Sequence, residues 1–177
     1  AKAADLRVHM DGARLANALA RLQCSAAAAT WRAGVDVLSF GATKNGCVAA
    51  EAVVFFDRQL ADQFLFRRKR GGHLFSKSRY IAAQFDAYLE GGLWLDLAAR
   101  ANHMARRLAD GLSARGAVIR HPVEANAVFV TFPAGVAERL LAAGATFYPW
   151  IAPCHPPTDD VKRLVCSWAT QADDVDA

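Results

Sequence analysis

Lys44 stands in Gly41-Ala42-Thr43-Lys44-Asn45-Gly46 and is the only charged residue between Val37 and Ala50. A lysine among Gly, Ala, Thr and Val is expected to be desolvated, which favours the neutral amine and frees its lone pair to attack a carbonyl. Taken alone, its plainer reading is an ordinary loop lysine reaching solvent. Asp11 ends a strand-like run and precedes Gly12. In open α/β sheets ligands sit beyond the carboxyl ends of strands, so a carboxylate there can meet one. The competing reading is an N-cap for the helix that follows. An acid and a lone lysine so placed are the pair that pyridoxal phosphate requires. The lysine bonds the aldehyde, and the carboxylate keeps the pyridine nitrogen protonated so that the ring accepts electrons.

Two arginines could hold a carboxylate. Arg14 opens the helix after Gly12, and its planar fork suits bidentate pairing. Arg163 enters the apolar run Leu164-Val165-Cys166, where an arginine is unusual without an anion; a salt bridge to Asp159 or Asp160 is the plainer expectation. His9 lies on the same strand face as Asp11 and is expected to be a buried packing residue, with a supporting role as the alternative. Cys154-His155 lacks further ligands at zinc spacing, so no metal site is expected. His73 reads as a loop histidine. Trp94, Trp150 and Trp168 are expected to serve cores or interfaces.

These residues need elements to carry them. Leu6–Met10 reads as a strand ending at Asp11, with Gly12 as the turn. Arg14–Ala29 reads as one helix, with Leu15, Leu19 and Leu22 on its apolar face. Val35–Phe40 and Ala50–Phe56 are further strands, whose continuous apolar character suggests a sheet buried on both faces. Helices are expected over Arg58–Lys69, Ser76–Leu89 and Leu93–Leu112. After these, short strands at Ala117–Arg120, Ala127–Phe132, Thr146–Pro149 and Arg163–Trp168, with a helix over Val136–Ala143, imply a small α+β unit with an antiparallel sheet. The division is placed at residues 1–95 and 96–177.

The whole-chain numbers fit this picture. A hydrophobic share of 54% and a charged share of 21% over 177 residues are those of a globular protein. No apolar run approaches the roughly 20 residues of a membrane helix. The net charge of +4 comes from sixteen arginines against five lysines. The densest cluster, Arg67-Arg68-Lys69-Arg70, reads as a helix C-terminus rather than a nucleic-acid reader, because no aromatic groove accompanies it. The four scattered cysteines suit a reducing cytoplasm.

The segment His9-Met10-Asp11-Gly12-Ala13-Arg14-Leu15-Ala16-Asn17-Ala18 resembles the HxDGARxxNA signature of low-specificity L-threonine aldolases. Phe40–Gly46 resembles the lysine loop of their bacterial branch. The segments at 50–57, 67–69, 76–79 and 125–130 are similar to later parts of the same enzymes, so the resemblance runs through essentially all 177 residues. It implies an α/β chain: part of a type I PLP-dependent transferase large domain, followed by a small α+β C-terminal domain. It further implies Lys44 as the Schiff-base lysine, Asp11 on the pyridine nitrogen, Arg14 and Arg163 on the substrate carboxylate, and Arg79 near the site. A small amino-acid substrate and, at full length, a homo-oligomer are implied, with no nucleic acid or membrane partner. Gly71-Gly72-His73 departs from the glycine-rich form of other branches.

Family members are about twice as long, and their first half carries the phosphate cup and a histidine that stacks on the ring. The chain is therefore expected to be truncated, and by itself inactive and poorly soluble. The alternatives are another β-eliminating amino-acid lyase, or an inactive fragment.

Overall fold

The structure is a computed structural model that describes residues 1–150 and 160–177. It divides into two compact units, Ala1–Leu97 and Ala98–Ala177.

The first unit is built on three strands: β1 (His9–Gly12), β2 (Val37–Gly41) and β3 (Glu51–Phe55), in that order across the sheet. β1 and β2 run parallel, with Asp11 opposite Ser39; β3 runs antiparallel to β2, with Val53 opposite Ser39. Side chains alternate between faces along each strand. One face therefore presents Met10, Leu38 and Val54, which pack with Leu15 and Leu19 of helix α1 (Leu15–Leu22) and with Trp94 and Leu95. The other face presents His9, Asp11, Ser39, Glu51 and Val53. It is only partly covered, with Phe64 packed on Phe55 at a 4.9 Å ring separation while His9, Asp11 and Val53 stay exposed. The expectation of a sheet buried on both faces is thus corrected for these residues.

Several boundaries also differ. The first strand begins at His9 rather than Leu6 and runs through Asp11 and Gly12. Upstream of it, Val8 is tied to Asp36 by both backbone groups instead of by a strand ladder: its N–H donates to Asp36 Oδ2 at 2.7 Å and its carbonyl accepts from the Asp36 N–H. The single helix expected over Arg14–Ala29 breaks at Gln23, whose φ is +54°. Ser25 then caps helix α2 (Ala26–Ala29) by accepting the Ala28 N–H, a capping signal that the apolar spacing hid. Leu22 consequently faces solvent. The helix expected over Arg58–Lys69 divides similarly. A 3-10 turn at Arg58–Ala61 is capped by Asp57, Gln63 adopts φ +61°, and helix α3 spans Phe64–Arg70. Its last turn holds Arg67, Arg68, Lys69 and Arg70, where cations complement the helix dipole.

Helix α4 (Arg79–Leu89) starts three residues later than the apolar pattern suggests, and helix α5 (Leu93–Ala114) carries the boundary between the units. The second unit holds strands β4 (Val118–Ile119), β5 (Ala127–Thr131), β6 (Tyr148–Pro149) and β7 (Lys162–Val165). They form an antiparallel sheet in the order β4-β5-β7-β6, with helices α6 (Val136–Ala142) and α7 (Ala172–Asp176). Its core joins Val128, Val130 and Cys166 to Met104, Ala105 and Ala109 of α5. Among the described residues, no helix is long and apolar enough to cross a membrane.

Asp36, just before β2, is buried and bonded to Lys2 Nζ at 2.7 Å. That bond, with the Val8 N–H beside it, holds the Asp36 carboxyl below the usual carboxylate range. A carboxyl whose folded pKa is depressed contributes stability above its unfolded value of about 3.9 and loses it as pH falls through the folded value. Unfolding midpoints measured against pH should therefore drop below about pH 4, and Asp36→Asn should flatten that acid limb. An unchanged limb would remove Asp36 as its source.

Candidate active site

Because β1 and β2 are parallel neighbours, their carboxyl ends lie at the same end of the sheet. Asp11 sits one residue before the end of β1, and Lys44 lies in the 3-10 turn Thr43–Asn45 directly after β2. The fold therefore brings the acid and the amine to one edge, as their spacing suggests. Asp11 is exposed, and its Oδ1 accepts the Ala13 N–H at 3.0 Å. That bond closes a local turn. The residue at the α1 N-cap is Arg14, so Asp11 is not the helix cap that its position also allowed. His9 is exposed too, with Nε2 2.8 Å from Ser39 Oγ, which corrects the expectation of a buried packing histidine.

Lys44 is exposed, and this corrects the expectation that its small neighbours would desolvate it. The burial in this loop falls instead on Ala42, Asn45 and Ala50, whose side chains turn inward while Lys44 projects outward. Asn45 is the residue that sequence reasoning missed. It is 4% exposed, and its side-chain amide donates to the Tyr88 hydroxyl at 2.6 Å and to the Trp94 carbonyl at 2.8 Å. Burial pushes the Tyr88 phenol up, and the Asn45 bond acts in the opposite direction. Burial, reinforced by Glu51, likewise raises the Cys47 thiol.

The rest of the loop is tied down with equal economy. Thr43 Oγ1 accepts the Ala50 N–H at 3.0 Å. Gln84 of α4 accepts the N–H groups of Val48 and Ala49 at 3.0 and 3.2 Å. The one signal for these roles in the sequence is the spacing of Gln84 and Tyr88, four residues apart on one helix face.

Two glycines let the strand ends close up. A Cβ on Gly12 would lie 2.5 Å from Leu38 Cδ1 and 2.8 Å from the Ser39 carbonyl oxygen. One on Gly41 would lie 2.6 Å from Glu51 Oε2 and 3.2 Å from Ala13 Cα. Gly12 is therefore a close-approach residue within the strand rather than the turn itself.

Arg14 is half-buried and lines a small cleft with Asp11, Met10 and Leu15. Arg79 is exposed at the start of α4, its guanidinium 5.0 Å from the Tyr80 ring. Arg163 belongs to the second unit, in β7 opposite Phe129 and Tyr148, with its guanidinium 5.4 Å from the Trp150 ring. Of its expected acidic partners, Asp160 pairs with Lys162, and Asp159 lies outside the described residues. Cys154 and His155 also lie outside them. An open cleft of about 860 Å³ on the β3 side of the sheet is lined by Ser39, Glu51, Val53, Phe64, Arg67 and His73, among others.

The family model for beta-eliminating lyases matches residues 1–134. The chain belongs to the beta-eliminating lyase family. Within that family it is a homologue of low-specificity L-threonine aldolases. It is 44% identical over 167 residues to the enzyme of Pseudomonas sp. (strain NCIMB 10558), covering 94% of this chain and 46% of that protein. Over 171 residues it is 44% identical to the enzyme of Pseudomonas aeruginosa, covering 96% of this chain and 48% of that protein. The structure of the threonine aldolase of Leishmania major superposes with a TM-score of 0.86 at 28% identity, over 99% of this chain and 50% of that one. The mixed α/β fold thus matches a threonine aldolase over half of that protein's length. The chain spans about half the length of the curated relatives it matches.

Gly12→Ala should destabilise the first unit of this family member by about 1–3 kcal/mol, because the added methyl meets the Ser39 backbone as well as a movable side chain. Chemical denaturation measures this. A change within about 0.5 kcal/mol, the range of a neutral surface substitution, would show that the strand ends can separate freely.

Proposed function

We propose that this chain carries the cofactor-binding lysine and acid of a pyridoxal-phosphate-dependent aldolase. The reaction is cleavage of L-threonine, L-allo-threonine and related β-hydroxy-α-amino acids to glycine and an aldehyde. The observation that carries the reading is the placement of Asp11 and Lys44 at the shared carboxyl end of two adjacent parallel strands. The similarity to threonine aldolases supports it.

The donor set fits the cofactor. An exposed primary amine can bond an aldehyde. An exposed carboxylate, braced on one oxygen by the Ala13 N–H, can accept the N–H of a protonated pyridine. When bound, pyridoxal phosphate supplies the electron sink that lets the Cα–Cβ bond break. Lys44 Nζ would be the amine that holds the cofactor's aldehyde carbon, and Asp11 would keep the proton on the ring nitrogen, an electrostatic contribution in place before the reaction starts. Ser39 lies opposite Asp11 on the same face, and His9 is hydrogen-bonded to Ser39. Arg14 would hold the substrate carboxylate, Arg163 of the second unit is a further candidate for it, and Arg79 would stand at the margin of the site. The full protein is proposed to work as a cytoplasmic homo-oligomer.

The family match also admits elimination on a different amino acid, which releases pyruvate and ammonia rather than acetaldehyde and glycine. Product analysis with threonine and with serine separates the two.

Borohydride reduction of the PLP-loaded protein, followed by peptide mapping, should place the pyridoxyl group on Lys44. A label on Lys69 or Lys77 would sink the assignment. Asp11→Ala should keep the covalent label yet lower kcat about 10²–10³-fold, the loss typical of a preorganised charge. Turnover near that of the unsubstituted protein would reduce Asp11 to a turn residue.

A further inference from the structure

Helix α4 grips the lysine loop at two points four residues apart on one face. At the first, Gln84 Oε1 accepts two consecutive backbone N–H groups, Val48 at 3.0 Å and Ala49 at 3.2 Å. Its amide nitrogen donates to the Tyr80 carbonyl of its own helix at 3.1 Å and reaches the Ala49 carbonyl at 3.5 Å. At the second, the Tyr88 hydroxyl, on a side chain 2% exposed, accepts from the Asn45 amide at 2.6 Å. Asn45 adjoins Lys44, and its other amide hydrogen goes to Trp94.

The geometry points to Tyr88 and Gln84 as positioning residues for Lys44, acting through the Ala42–Ala50 loop without touching the cofactor. This rests on the reading of Lys44 as the cofactor-binding lysine.

The argument has two steps. The Lys44 side chain is exposed and long, so its neighbours do little to fix its direction. Its aim must come from the backbone of a turn only three residues long, followed by Gly46 at φ +120°. The bonds to that turn exceed what packing needs. Ala42, Ala50, Phe40, Phe85 and the Tyr88 ring already hold α4 against the sheet by apolar contact. A phenylalanine at 88 and a leucine or methionine at 84 would keep that contact. The polar atoms instead fix the loop's register and tilt, and misplacement of a reacting group by about 1 Å is enough to cost about 100-fold in rate.

The test uses the full protein loaded with pyridoxal phosphate, with Tyr88→Phe, which keeps the ring, and Gln84→Met, which keeps the stem length. Gln84→Glu retains the acceptor for both loop N–H groups and serves as the rescue. Asp86→Asn, on the exposed side of α4, is the control. Three quantities are measured: amide hydrogen exchange over residues 43–49, the pH midpoint of the visible band of the lysine-bound cofactor, and kcat and KM with threonine. Tyr88→Phe should speed loop exchange about tenfold, the effect of one lost buried hydrogen bond, and Gln84→Met, which removes two exposed ones, should speed it about as much. Both should displace the midpoint and lower kcat about tenfold with KM within about twofold, the pattern of a group that matters only once substrate is bound. Gln84→Glu should restore all three, and Asp86→Asn should leave them unchanged. Faster exchange with an unmoved midpoint and kcat would mean the bonds serve stability alone and would overturn the inference. If Tyr88→Phe fails to fold, the Gln84→Met and Gln84→Glu pair decides. A protein that forms no visible band before any substitution overturns the reading of Lys44 itself, a failure told apart because it appears in the unsubstituted chain.

Discussion

The side-chain amide of Asn45 donates to the Tyr88 hydroxyl and the Trp94 carbonyl, and around this buried junction the lysine loop, α4 and the start of α5 are held together. The Tyr88 hydroxyl is removed from water, and the Asn45 amide compensates its burial. Rings close over it: Phe40 lies 5.7 Å from Phe85 and 5.7 Å edge-on to Trp94. The polar contact gives the junction one geometry, while the apolar contacts give it adhesion. That division resembles the general behaviour of buried hydrogen-bond networks, which specify a unique arrangement when every member is satisfied.

The sheet divides its labour between two faces. Met10, Leu38 and Val54 pair across the strands and pack on α1, while Asp11 and Ser39 pair on the opposite face with His9 bonded diagonally to Ser39. A strand cannot present an acid to a ligand and a hydrophobe to a helix unless its side chains alternate, and parallel pairing then places two such strands with their ends together. The glycines at 12 and 41 complete the arrangement by letting the turn at Ala13 come down against β2.

The second unit is organised differently. An antiparallel sheet packs on the long α5 helix through Val128, Val130 and Cys166, and Asn126 donates to the Cys166 carbonyl at 2.7 Å beneath it. Arg163 emerges from this sheet flanked by aromatic residues, its guanidinium near Trp150 and its strand neighbour Phe129 5.0 Å from the same ring. An arginine stacked on an aromatic ring is pre-oriented in a way that a lysine would not be.

Much of this was legible in the sequence alone. Apolar runs of the right length located the seven strands of the described residues to within a few residues. The isolation of Lys44 and the strand-end position of Asp11 nominated a candidate site, because residue type and period-2 or period-3.6 spacing are local properties that survive without the fold. What the sequence concealed were outcomes of competition between distant groups. Helices expected to be continuous broke at Gln23, after which Ser25 caps the restart, and at Gln63, which leads into α3 without a side-chain cap. Lys44 proved exposed and Asn45 buried, although both sit in the same run of small residues. Which of two adjacent side chains turns inward is decided by where an acceptor waits, and the acceptors on Tyr88 and Trp94 arrive from more than 40 positions along the chain. Composition and spacing can nominate a lysine. Only the tertiary structure, by supplying partners to its neighbours, decides how it is held.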